Sequence, residues 1–139
     1  MSISQIFDIA STGMAAQRLR VQLIASNVAN SETTRTREGG PYRRRDAVFQ
    51  TQDLGFSGAL ANAGVRVASI QTSQEPFLTR YGPGHPDANA DGVVNYPNIN
   101  PVEEMVNLTE ASRSYEANIA VVRSAKAMAT SALGILSAQ

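Results

Sequence analysis

The sequence predicts a mainly α-helical protein with a small β part: a long helix at each end, the two paired as a coiled-coil-like unit, and a short antiparallel β-rich insert between them. Three observations carry this prediction. Apolar residues recur in steps of three and four from Ile3 to Ala29 and again from Val102 to Leu136, the spacing that lines one face of a helix. The intervening stretch, 31–99, is broken by Gly, Pro, Asn and Asp clusters and holds only short β-type runs. Helices of roughly 40 and 50 Å, at 1.5 Å per residue, outrun the three or four turns usual in a globular domain. The chain therefore divides into 1–30 and 100–139, which together form a terminal helical unit, and 31–99, a middle region that leans on them.

The first helix carries Ile3, Phe7, Ala10, Met14, Val21, Ile24 and Val28 along one stripe, with Gln17 as the polar intruder. A second set, Ile6, Ile9, Gly13, Ala16, Leu19 and Leu23, lies beside it, so the apolar face is wider than one partner helix covers. Ser2 and Gln5 read as a capping box at the start, and Asn30 marks the exit. Next come a loop from Ser31 to Gly40 and strand candidates at Ala47–Gln50, Val65–Gln71, Phe77–Tyr81 and Val93–Tyr96, expected to form one small antiparallel sheet. Strands this short bury little by themselves.

Asn100 is placed to cap the second helix, Pro101 sits where its missing N–H costs nothing, and Glu103 and Glu104 fall in the first turn near the positive end of the dipole. The expected seam runs through Met105, Leu108, Tyr115, Ile119, Val122, Ala129, Leu133 and Leu136, interrupted by Ser112 and Lys126. Amides and guanidinium groups beside these seams, including Asn27, Asn30, Arg113 and Asn118, are the kind of polar groups that fix register, because misalignment leaves them unpaired. Apolar width beyond a mutual seam calls for other chains. The expected assembly interface is therefore Ile3, Phe7, Met14, Val21, Ile24, Asn27, Val28 and Asn30 on the first helix. On the second it is Met105, Leu108, Arg113, Tyr115, Asn118, Ile119, Val122, Leu133 and Leu136.

Composition narrows the function. The 139 residues carry no net charge and no cysteine, which gives no global pull toward nucleic acid and excludes disulfide or thiolate chemistry. No stretch is apolar enough to span a bilayer, and Gln5 and Asp8 interrupt what would be a signal-peptide core. Asp87-Ala88-Asn89-Ala90-Asp91-Gly92 matches the opening of a calcium loop, but Asn98 stands where a bidentate Glu belongs and Pro83 and Pro86 oppose an entering helix, so a polar turn is expected. His85, the sole histidine, lies between Gly84 and Pro86 with no nucleophile elbow, zinc pair or phosphate loop in the sequence to serve. Neither a catalytic residue nor a cofactor or metal site is expected. Arg43-Arg44-Arg45, with Arg35, Arg37 and Tyr42 nearby, would suit a polyanion, but Glu38 and Asp46 flank it; a lateral ion-pairing contact is the expected role.

Ile24-Ala25-Ser26-Asn27-Val28-Ala29-Asn30 followed by Thr33-Thr34 resembles the N-terminal signature of the bacterial flagellar axial proteins, the rod, hook and hook-associated group. The run from Gly39 to Gln50, the segment Tyr81-Gly82-Pro83-Gly84-His85-Pro86 and the stretch from Tyr96 to Asn118 resemble the proximal rod branch of that family. The resemblance spans nearly the whole chain and is weakest from Thr51 to Gly64; it departs at Thr34-Arg35-Thr36-Arg37, where relatives often place a Gly. It implies a non-enzymatic structural subunit of the basal-body rod that transmits torque across the periplasm. It also implies export by the flagellar type III apparatus without a cleaved signal peptide, and assembly with proximal and distal rod subunits and the rod-to-MS-ring adapter. Neither nucleic acid nor membrane insertion belongs to that picture. The alternatives are another axial protein of the group or a small calcium- or polyanion-binding module.

Overall fold

The computed structural model describes residues 3–53 and 63–137. Ser2 of the expected capping box, much of the loop between Thr51 and Gly64 and the side chain of Leu136 lie outside the described residues. The order is α1 (Ile3–Ala29), β1 (Arg45–Asp53), β2 (Ala63–Thr72), β3 (Leu78–Tyr81), β4 (Val93–Tyr96) and α2 (Pro101–Ser137). The mainly α fold with a small β insert is thus as expected, and α1 has the expected limits.

The two helices run antiparallel. Asn27 of α1 bonds Glu104 of α2, and Gly13 of α1 lies against Asn118 of α2. Fourteen residues separate each pair of positions along its helix, two heptads of a coiled-coil repeat. The contact is lined by small side chains: Ala10 and Ala16 on α1 and Ala111 and Ala125 on α2 are buried. Small residues let the two backbones approach closely, and Gly13 extends that approach.

This geometry corrects the expected seam on α2. The row Leu108, Tyr115, Val122 and Ala129 is half-buried as expected. The second row, however, is Glu104, Ala111, Asn118 and Ala125, one residue earlier than Met105, Ser112, Ile119 and Lys126. The rotation has a physical cause: alanines and a buried carboxylate that finds partners occupy the closest approach, where larger side chains would hold the helices apart. Met105 is accordingly more than half exposed.

The β part is two hairpins rather than one sheet. β1 and β2 pair antiparallel from Arg45↔Thr72 to Asp53↔Ala63, with a bulge between Val48 and Phe49; β3 and β4 pair from Leu78↔Tyr96 to Tyr81↔Val93. No third strand joins either pair among the described residues. β1 and β2 are longer than the alternating runs in the sequence because they pack on α1, and Val65 N donates to Thr12 Oγ1 at 3.1 Å. The second hairpin covers the approach to α2, where Val94, Pro97 and Ile99 are buried.

The α2 start follows the expected chemistry. Val102 N donates to Asn100 Oδ1 at 3.1 Å and Glu104 N to Asn100 O at 3.1 Å, the pattern of an N-cap. At the α1 exit, Asn30 N and Nδ2 both donate to Ser26 O, and Thr33 Oγ1 donates to Asn30 Oδ1.

Candidate assembly interface

The helix pair presents two kinds of surface, and the inward one is organised around polar groups. Asn27 is fully buried and uses its whole amide. Its Nδ2 donates to Arg45 O at 2.8 Å and to Glu104 Oε2 at 3.0 Å. Its Oδ1 accepts from Arg45 N at 2.9 Å and from Tyr42 OH at 3.0 Å. One side chain thereby joins α1, the entry to β1 and the first turn of α2.

Glu104 is 2% exposed and its second oxygen accepts from Arg44 Nε at 2.8 Å. Arg44 Nη1 also lies 3.3 Å from Asp46 Oδ2. Burial alone would lower the Arg44 pKa; the hydrogen bond and charge of Glu104, with Asp46 behind them, outweigh it and hold the guanidinium above its ordinary value. A buried carboxylate with both oxygens satisfied by an amide and a guanidinium is the arrangement that tolerates burial, and removing either partner is costly. Sequence reasoning assigned Glu104 to the helix dipole and missed this site. The available signal was spacing, because Glu104 lies one heptad before Ala111 and two before Asn118.

The three arginines separate by alternation. Arg44 turns inward to Glu104, while Arg43 stacks over Phe77 at 4.2 Å and donates to Ser73 O and Glu75 O. Arg45 lies over Tyr42 at 5.7 Å. Only Arg43 and Arg45 of the expected strip remain on the outside.

The outward surface lies mainly on α2. Extending the register of Asn27 with Glu104 brings Ile3 level with about Met128 at equal rise on both helices, so Ala129–Ser137 runs on past it. Along this end Met128, Leu133 and Ile135 are exposed, Ile135 at 71%. At the opposite end Val102, Met105 and Val106 are exposed, Val102 at 69%. On α1, Ile3 is exposed and Phe7, Met14, Val21 and Val28 are half-buried, whereas Ile24 is buried inside the chain. Arg113 is exposed, and Tyr115, Asn118 and Ile119 are half-buried. Large apolar side chains are thus exposed toward both ends of α2.

The other candidates resolve into structure. Asn89 Oδ1 accepts from Asp91 N and Val93 N, closing a turn. Asp87 accepts from Thr34 Oγ1 at 2.8 Å, tying the β3–β4 loop to the loop after α1. His85 Nδ1 accepts from Asp87 N at 3.1 Å, and its ring meets Tyr96 edge-on. Among the described residues no group of three or more His, Cys, Asp or Glu could hold a metal ion, and no helix is long and apolar enough to cross a membrane.

Comparison with known proteins bears on both helices. The family described as flagella basal body rod protein matches residues 7–35, and that described as flagellar basal body rod FlgEFG protein C-terminal matches residues 90–135. The chain is 43% identical to the flagellar basal-body rod protein FlgC of Borreliella burgdorferi, over 98% of this chain and 99% of the relative. It is 44% identical to the FlgC of Salmonella typhimurium over 92% and 93%, and 36% identical to that of Bacillus subtilis over 97% and 99%.

Proposed function

The chain belongs to the FlgC family of flagellar basal-body rod proteins and is a structural subunit of that rod; from this premise we propose that it assembles through the outward faces of α1 and α2. The observation that supports this reading most is the α2 end beyond Met128. Its Leu133 and Ile135, both large and apolar, are left exposed by the described residues. A neighbouring rod subunit that covers them removes apolar area from water at roughly 25 cal/mol per Å². A contact between unlike surfaces propagates from chain to chain into a ring or helix.

On this reading the helical unit, 1–30 with 100–139, forms an inner tubular layer of the proximal rod and the insert, 31–99, adds an outer contact. The subunit is exported by the flagellar type III apparatus and carries torque across the periplasm. Its neighbours are other proximal and distal rod subunits and the adapter to the MS ring. Arg43 and Arg45 supply a lateral ion-pairing surface. The subunit has no catalytic role: the polar clusters described above are spent on holding loops and helices together.

Imaging basal bodies from a strain that carries Leu133→Asp in place of the native gene tests the reading. The expected result is normal protein level with rods that fail to complete. Complete rods at normal frequency would overturn the assignment of this face.

A further inference from the structure

A groove of about 530 Å³ opens beside the start of β1, within the range of sites that hold a ligand or a short peptide. Arg37, Arg43 and Arg45 line it with a single carboxylate residue, Glu38, and Tyr42 and Phe77 supply aromatic surface. Among the described residues no carboxylate forms an ion pair with any of these three arginines. Three guanidinium groups in one concavity leave a positive field with an internal counter-charge at Glu38 alone.

The shape is as specific as the charge. Ser73 N donates to Arg44 O, prolonging the β1–β2 ladder past its first pair, so the entering run keeps the two-residue alternation of a strand. Arg43 and Arg45 therefore share one face, about 7 Å apart, while Arg44 takes the other and is held by Glu104. Gly39 and Gly40 also line the groove, at φ +91° and +74°, where an added Cβ would meet nothing within 4 Å; that part of the rim presents bare backbone. Thr72 of β2 lines it too, in a sheet that has two strands among the described residues.

We propose that this groove binds an extended acidic peptide segment of a neighbouring protein. An extended chain sets same-face carboxylates about 7 Å apart, the period of Arg43 and Arg45, and arginine meets carboxylate as a two-pronged donor. Arg37, which also lines the groove, adds a third contact, and the glycine rim lets the peptide backbone come close. The proposal deepens the lateral contact given to Arg43 and Arg45 and rests on that reading, replacing a surface strip by a groove with a stated guest.

Fluorescence anisotropy of the purified full chain with a fluorescein-labelled hexaglutamate peptide tests it. The wild-type chain binds, and binding weakens as salt rises from about 50 to 300 mM, because these charges are partly solvated. Arg37→Gln/Arg45→Gln weakens binding at least tenfold. Arg37→Gln alone, which removes no hydrogen bond or ion pair among the described residues, weakens it at least threefold, so a folding defect in the double variant does not decide the outcome. Arg66→Gln, an arginine on β2 bonded to Gln50, binds as wild type. Absence of binding, equal weakening in Arg66→Gln, or no loss in Arg37→Gln overturns the proposal. So does preference for a labelled oligothymidylate of equal charge, which would mark a polyanion site. None of these results touches the place of the chain in the rod, which the basal-body images test separately.

Discussion

Gly13 of α1 faces Asn118 of α2 so closely that an added Cβ would stand 3.2 Å from Asn118 Nδ2 and 3.4 Å from its Oδ1. A glycine inside a 27-residue helix costs about 1 kcal/mol relative to alanine. Its presence is explained by the neighbour.

Two effects of similar size oppose each other at this position. Gly13→Ala gains helix propensity and crowds an amide whose own side chain can turn aside, so the melting midpoint of the purified chain should hardly move. Gly13→Leu has no such escape and should destabilise by about 2 kcal/mol through overpacking. Thermal melts of both variants read the difference; a Leu variant as stable as wild type would show that the helices do not approach closely here.

Removing Arg44 should hurt more than removing the pair. Arg44→Ala leaves the Glu104 carboxylate buried with only the Asn27 amide beside it, at a cost of about 3 kcal/mol. Adding Glu104→Leu removes the stranded charge and should recover part of that loss. Urea midpoints of the two single variants and the double variant close the cycle.

The pair should also be insensitive to alkali. The Arg44 pKa is raised in the folded chain. Its contribution is therefore fully present below the ordinary arginine value and is lost only as pH rises through the still higher folded one. The stability gap between wild type and Arg44→Gln should be the same at about pH 7 and about pH 10, since arginine keeps its charge throughout. A gap that shrinks across this range would place the effect on another group.

Left-handed backbone separates two glycines that look alike in sequence. Gly92, at φ +73°, would set an added Cβ 3.0 Å from Tyr81 Cε2 and 3.1 Å from Pro83 Cβ, whereas Gly39, at φ +91°, meets nothing within 4 Å. Gly39→Ala should cost about 1 kcal/mol, the backbone penalty alone. Gly92→Ala should cost about 2–3 kcal/mol, because the same penalty is joined by a clash. Melts of the two variants under one buffer give the ordering.

Gln17 sits on the α1 seam with its Oε1 buried and without a donor among the described residues. An unsatisfied buried acceptor costs about 1–3 kcal/mol, so Gln17→Met, of similar length and without that oxygen, should raise the urea midpoint. A lower midpoint would mean that the amide is satisfied in solution.

Much of this molecule was legible in its sequence, and the exceptions share a cause. The limits of α1, the Asn100 cap and the position of β4 follow from periodicity and local chemistry, which act within a few residues. The helix pair and β insert follow from the same patterns taken together. One of the two rows of the α2 seam was displaced by one residue because hydropathy ranks Met105 above Glu104, while the fold ranks them by partners. Asn27 and Arg44 reach Glu104 from 77 and 60 residues away, beyond any local pattern. The single expected sheet became two hairpins for a related reason: alternation marks a strand but does not name its mate.

The alanine-lined contact between α1 and α2 gives the chain an uneven response to load. Shallow side chains interlock little, so along most of their length the helices oppose axial shear only weakly. The cluster of Asn27, Glu104 and Arg44 behaves otherwise, because hydrogen bonds are short-ranged and directional and hold full strength until a small displacement ends them together. Pulled along its axes, the pair should yield in one abrupt step at the capped end of α2, with the remainder sliding afterwards at low force.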